Sequence, residues 1–174
     1  MTRNELARRI ADVALLRGEF TLRSGRKSNY YLDKYLFETQ PDILRELGKM
    51  FAERIPAGVT RIAGPELGAI ALAAAASMAS GKPFVIVRNQ KKDYGTSKLV
   101  EGVLEDGDTV VLVEDVLTTG GQVLEAAKSL EAAGAKIDRI IGVIDRQEGA
   151  RQAIEEAGYA FESLFTTDEL GIEK

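Results

Sequence analysis

The sequence predicts an α/β fold: a mostly parallel sheet flanked by helices, with a small N-terminal hood subdomain that contains a β-hairpin. Three observations predict it. From Arg61 onward, short and nearly continuous apolar segments alternate with helical patterns, as expected of parallel strands buried on both faces. Before Arg61 that alternation is absent, and two amphipathic helical patterns flank an aromatic, β-rich stretch that turns back on itself. The chain has 174 residues with no linker, repeat or low-complexity run, enough to bury about 70% of its unfolded surface as one domain. The expected division is residues 1–58 as helix, hairpin and helix, and residues 59–174 as the α/β core.

Leu6, Ile10, Val13 and Leu16 recur at helical spacing, which predicts a helix over residues 3–17 stopped by Gly18. In EFTLRSGRKSNYYLDKY, β-rich flanks surround Ser24-Gly25-Arg26-Lys27-Ser28, the pattern of a strand, a turn and a returning strand. Pro41 suits the first turn of a helix that runs to about Arg54, with Ile43, Leu44, Leu47 and Phe51 on one face. The alternation then reads RIAG and PELGAIALAAAASMAS, PFVIV and a polar loop, TVVLVED and GQVLEAAKSLEAAG, IDRIIGVID and GARQAIEEAG, and last AFESLFT. The segment before Arg61 is expected to cap an edge of this sheet.

Composition removes several chemistries. Without cysteine there is no disulfide, thiolate nucleophile or zinc-thiolate site, and without histidine there is no Ser-His-Asp arrangement or imidazole base. Catalysis falls to carboxylates, lysines, tyrosines, backbone amides or a metal held by oxygens. The net charge of -4 lacks the basic bias of a general nucleic-acid binder. No apolar run reaches the roughly 20 residues of a membrane helix, and no signal peptide is recognisable, so neither nucleic acid nor membrane is an expected partner and the cytoplasm is the expected location.

Ligands of such sheets bind outside the carboxyl ends of the strands, where GPELG, RNQKKDYG, EDVLTTGG and DRQEG fall. EDVLTTGG is the most specific. Thr118, Thr119, Gly120 and Gly121 lie where a strand turns into a helix, so consecutive N–H groups can converge on a phosphate with the helix dipole behind them. The spacing is neither a Walker loop nor Gly-x-Gly-x-x-Gly. Glu114 and Asp115, just upstream, suit the vicinal hydroxyls of a sugar or a hydrated divalent cation. A phosphorylated sugar satisfies both halves, although an acidic strand end before a helix is also ordinary in α/β proteins. RNQKKDYGTSKL offers Arg88, Lys91, Lys92 and Lys98 with little to pack, which fits either a solvated loop or a mobile cationic lid. Arg146 is either a fork for a planar carboxylated ring or a loop arginine paired with Asp145 or Glu148. Arg26 and Lys27 read as parts of a plain hairpin.

Val110 to Gly121, an apolar strand followed by two acids, two variable residues and Thr-Thr-Gly-Gly, resembles the phosphoribosyl pyrophosphate (PRPP) motif of the type I phosphoribosyltransferases. FTLRSGRKSNYYLD, RNQKKDYGTSKLVEG and GVIDRQEG, in this order over nearly the whole chain, resemble the orotate phosphoribosyltransferases. The resemblance implies a type I phosphoribosyltransferase-like fold and transfer of ribose 5-phosphate from PRPP to orotate in pyrimidine biosynthesis. It implies that Thr118, Thr119, Gly120 and Gly121 grip the 5-phosphate and that Glu114 and Asp115 take the ribose hydroxyls. Val116, Leu117 and Gln122 complete the PRPP-binding stretch. Arg23, Arg88, Lys92 and Tyr94 fall at pyrophosphate-contacting positions. Lys92 takes the role of the mobile catalytic lysine, with Asp115 the second catalytic position. Thr118 and Arg146 fall at orotate-binding positions, and the backbone of Tyr31 and Leu32 lies near the base.

Mg2+ is implied as a cofactor carried by PRPP near Glu114 and Asp115, without direct protein ligands. A homodimer is implied too, the 88–98 loop reaching the neighbouring active site. Many family members carry histidine where this chain has Tyr94 and a second basic residue where it has Asn89, and well-known bacterial members have Tyr-Lys where it has Glu66-Leu67. Pyrophosphate is therefore expected to rely on backbone amides around Glu66 to Gly68 and on the lid. The alternatives are transfer to a purine or other base, which needs no carboxylate recognition by Arg146, and a non-catalytic PRPP-sensing regulator, in which Lys92→Ala changes affinity but abolishes no turnover.

Overall fold

The structure, a computed structural model, describes residues 1–21, 25, 27–90 and 98–172. Helix α1 (Arg3–Ala14) starts at a capping box in which the Thr2 hydroxyl accepts from the Glu5 amide and the Glu5 carboxylate accepts from the Thr2 amide. It ends three residues before the expected stop, because Leu15, Leu16 and Arg17 pair with Leu32, Tyr31 and Tyr30 as the start of strand β1 (Leu15–Thr21) against β2 (Lys27–Leu32). Leu16 keeps helical phase in the sequence, yet ladder pairing outweighs a weak helical preference. Gly18, expected to stop the helix, lies instead where the hairpin register shifts between Arg17 and Phe20. The predicted hairpin is present.

A five-residue helix α2 (Lys34–Glu38) follows, capped by the Asp33 side chain accepting from the Tyr35 amide. It is too short to leave a periodic signal. Helix α3 (Pro41–Ala52) carries proline in its first turn and buries Ile43, Leu47 and Phe51, as the pattern predicts.

The main sheet contains β3 (Arg61–Pro65), β4 (Phe84–Val87), β5 (Val100–Glu101), β6 (Thr109–Leu117), β7 (Lys136–Asp145) and β8 (Ala160–Thr166) in the order β5-β4-β3-β6-β7-β8. All neighbours are parallel except the short edge strand β5, which the sequence did not mark. The helices α4 (Ala69–Ser80), α5 (Gly121–Ala132) and α6 (Ala150–Glu156) connect the strands. Residues alternate between faces along β6: Val111 and Val113 join the core beneath α1, α3 and α4, while Val110 and Leu112 face α5 and α6. Helices α1 and α3 are therefore part of the layer covering one face, and do not cap an edge as expected. Close approach makes this layer tight, since a Cβ on Gly48 of α3 would stand 2.7 Å from the Ala75 carbonyl oxygen of α4.

Two features of β6 place the functional site. The chain leaves β3 towards β4 in one direction and returns past it to β6, so strand order reverses between β3 and β6, where open α/β sheets form a crevice. The paired register of β3 with β6 ends at Ala63 and Leu112, whereas β6 continues alongside β7 to Leu117. Glu114 and Asp115 thus lie within the strand and not at its end as expected, on the stretch where β3 has already turned away.

Candidate active site at the sheet switch point

A cavity of about 270 Å³ opens at this crevice, lined by residues 114–123 and by Lys34. Its floor is the β6–α5 turn. Gly120 takes φ 80 at the N-cap of α5, a conformation that glycine adopts without strain, and no side chain of the described residues caps the helix. The first-turn N–H groups of a twelve-residue helix are thereby presented to the cavity with its dipole behind them, and Thr118 and Thr119 stand beside them. All nine residues predicted from 114 to 122 line this one space.

Asp115 is buried, and Lys34 Nζ donates to its Oδ2 at 2.6 Å while the Val116 amide donates to its Oδ1 at 2.5 Å. Glu114, also buried, accepts from the Asp115 amide at 3.0 Å. A third carboxyl group, Glu38 from α2, lies against the same cluster, and its buried Oε1 has no hydrogen-bond partner among the described residues. Burial first, and then the negative charge of Asp115, push both Glu38 and Glu114 up to about 8. Burial pulls Lys34 down, but the charge of Asp115 and its hydrogen bond outweigh this and raise it, so the ammonium stays charged. Gly68, in the loop after β3, makes room for the cluster, since a Cβ there would overlap Asp115 Oδ2 and stand 2.9 Å from Glu38 Oε1.

The β3 and β4 loops meet beside this cavity. The Asn89 amide donates to Glu66 Oε1 at 2.7 Å, and its side chain donates to the Glu66 carbonyl at 3.3 Å. Two positions at which the chain departs from other family members are thus direct partners. Gln122 Nε2 reaches Asn89 Oδ1 at 3.5 Å, tying the start of α5 to the same loop. Arg88 lies within 4.0 Å of Glu66 and of Glu101. Arg23, Lys92 and Tyr94 lie outside the described residues.

On the other flank, the Arg146 amide donates to the Leu117 carbonyl at 2.9 Å and the Ala150 amide to the Thr118 carbonyl at 3.0 Å, which fixes the β7–α6 loop beside the phosphate turn. The Arg146 guanidinium is mostly buried, 3.0 Å from Glu148 and 3.4 Å from the Tyr30 hydroxyl, with the Tyr30 ring 5.9 Å away. Of the two ordinary partners that the sequence allowed, Glu148 is the one used; Asp145 instead accepts from the Gln147 amide. Lys34, Glu38 and Tyr30 escaped the sequence reading. Each reaches the site from the hairpin or α2, and no local spacing connects them to residues more than 75 positions away.

The chain matches the family described as Phosphoribosyl transferase domain over residues 37–159. It is 51% identical to an orotate phosphoribosyltransferase of Methanocella arvoryzae over 88% of this chain and 87% of the relative. It is 44% identical to one of Natronomonas pharaonis over 98% of each. Its fold superposes with a TM-score of 0.83, at 30% identity, on the orotate phosphoribosyltransferase of Mycobacterium tuberculosis in complex with PRPP, covering 97% of this chain and 98% of that one. Sequence, fold and the arrangement of the switch-point cavity agree, and the chain belongs to the phosphoribosyltransferase family, among the orotate phosphoribosyltransferases.

Proposed function

We propose that the protein transfers the ribose 5-phosphate group of PRPP to N1 of orotate, releasing pyrophosphate and giving orotidine 5-monophosphate for pyrimidine biosynthesis. The observation that carries this reading is the one cavity joining a helix start at Thr118–Gly121 to the carboxyl groups of Glu114 and Asp115, with the Arg146 amide bonded to Leu117 of its lining. The 5-phosphate takes the N–H groups and hydroxyls of residues 118–121, and the ribose hydroxyls donate to the acidic pair. Orotate stacks towards Arg146, whose guanidinium exchanges Glu148 for the orotate carboxylate, while Thr118 holds the ring edge.

The C1–oxygen bond breaks as the C1–N1 bond forms, through a transition state with oxocarbenium character. The departing pyrophosphate needs positive charge more than the nucleophile needs a base, since the orotate ring nitrogen can lose its proton beforehand. Arg88, Arg23 and Lys92 provide that charge, with Tyr94 beside them and Lys92 delivered by lid closure that also excludes water. Asp115 Oδ1 and Oδ2 and Glu114 Oε1 already accept hydrogen bonds. This donor set fits a hydrated Mg2+ that arrives on PRPP and is met through water near Glu114 and Asp115. When bound, the cation neutralises charge on the leaving group.

We place the protein in the cytoplasm as a single phosphoribosyltransferase domain that forms a homodimer, with the 88–98 loop reaching the partner's site. The outer face of α3 and α4 supports the dimer: Leu44, Ala71, Ala74 and Met78 line an apolar groove of about 690 Å³, and Met78 is 83% exposed. No described helix is long and apolar enough to cross a membrane. The test is loss of orotate absorbance on mixing protein, PRPP, Mg2+ and orotate, with hypoxanthine, adenine and uracil in parallel. Turnover with orotate alone is expected. Turnover only with another base removes the assignment of Arg146, and silence with all of them removes the enzyme reading.

A further inference from the structure

Lys34 stands 81 positions before Asp115 in the chain, yet its ammonium donates to Asp115 Oδ2 at 2.6 Å inside the cavity. Its place is fixed by local structure. The Asp33 amide donates to the Ala14 carbonyl at 2.9 Å, and the Asp33 side chain caps α2, so the first residue of that helix projects over the carboxyl end of β6. The Asp115 side chain is 3% exposed and that of Lys34 is 32% exposed, so the anion is buried and the cation reaches it from the solvent side. Two further carboxyl groups, Glu38 and Glu114, share this buried space, and Gly68 lets Asp115 and Glu38 crowd together. An anion buried among acids without a cation is strongly disfavoured.

We infer that Lys34 is a positioning residue for ribose recognition, holding the Asp115 carboxylate as the oriented acceptor that the sugar hydroxyls require. With Oδ2 pinned by Lys34 and Oδ1 by the Val116 amide, the remaining lone pairs of Asp115 are left to the cavity. Without the ammonium, Asp115 Oδ2 loses its partner, and the carboxylate is free to turn away from the cavity within the space that Gly68 leaves to Asp115 and Glu38. This inference rests on the assignment of the cavity to ribose 5-phosphate, and it adds to that assignment a hood residue that touches the sugar only through Asp115.

The test is calorimetric titration of ribose 5-phosphate and of inorganic phosphate into wild type, Lys34→Met, Lys34→Arg and the double variant Lys34→Met with Glu38→Gln, with a thermal melt of each. Lys34→Met is expected to weaken ribose 5-phosphate about tenfold, equivalent to about 1.4 kcal/mol, and to shift phosphate, held by the helix start, by no more than about twofold. Lys34→Arg should keep most of the affinity, and the double variant should regain most of it because an amide in place of the Glu38 carboxyl, beside Asp115, can donate to Asp115 where the ammonium did. Should Lys34→Met fail to fold, Lys34→Gln carries the test, with the same loss of ribose 5-phosphate binding expected. Equal binding of ribose 5-phosphate by Lys34→Met and wild type would overturn the inference, and so would equal losses for both ligands or a double variant no better than the single one. Wild type that binds neither ligand would overturn the ribose assignment and this inference with it.

Discussion

Glu38 and Glu114 give the site a titration that no other described group supplies. The ordinary glutamate value of 4.5 applies to the unfolded chain, and about 8 applies in the folded one. Across that window the native state holds protons that the unfolded state has released, so the stability these two groups contribute is full below about pH 4.5 and is lost as pH rises towards about 8. The chain has no histidine, so no imidazole contributes to this descent. Thermal melts between these limits should therefore show wild type losing stability with rising pH and Glu38→Gln showing a flatter profile; parallel profiles would remove Glu38 from the cluster. Arg146 makes a second prediction at this scale. A hydrogen bond to a charged group contributes about 2 kcal/mol, so Arg146→Gln should raise the KM for orotate about thirtyfold with little change for PRPP. Steady-state kinetics with each substrate varied in turn separate the two.

At the scale of elements, β6 does most to build the site, and most of it was legible in the sequence. Its apolar run, paired acids and Thr-Thr-Gly-Gly turn are contiguous, so one stretch carries both the strand and the cradle. Its end was misplaced by two residues because Val116 and Leu117 continue the ladder with β7 after β3 has departed, a property of two strands together. The same reason hides Lys34, Glu38 and Tyr30, whose partners are set by how the hairpin and α2 sit over the sheet. The Glu66–Asn89 contact belongs here too: each residue was visible as a departure, but their pairing required β3 and β4 to be neighbours. Leu112 lies at the middle of β6, fully buried against the α5 face and away from the cavity. Leu112→Ala should cost about 2–5 kcal/mol in denaturant unfolding while kcat of the folded enzyme stays near wild type. A large drop in kcat without loss of stability would mean that β6 transmits strain into the cradle.

For the whole molecule, the proposed dimer makes the active site composite, with Asp115 from one protomer and the Lys92 lid from its partner. Mixing inactive Lys92→Ala with inactive Asp115→Asn allows subunits to exchange. Half of the sites in each heterodimer then carry both native residues, so about a quarter of wild-type activity should return for random pairing of a two-fold dimer. No recovery under conditions where exchange is verified would place the lid over its own protomer's site. The apolar face of α3 and α4 gives the same idea a physical handle, because a charge at exposed Met78 should weaken association and activity together.

The measurement that tests the central claim most directly is a crystal structure of the protein with PRPP and Mg2+. The account predicts the 5-phosphate on the N–H groups of residues 118–121, the ribose hydroxyls on Glu114 and Asp115, and Lys34 still paired with Asp115. A phosphate bound elsewhere, or a ribose that leaves the acidic pair untouched, would contradict it.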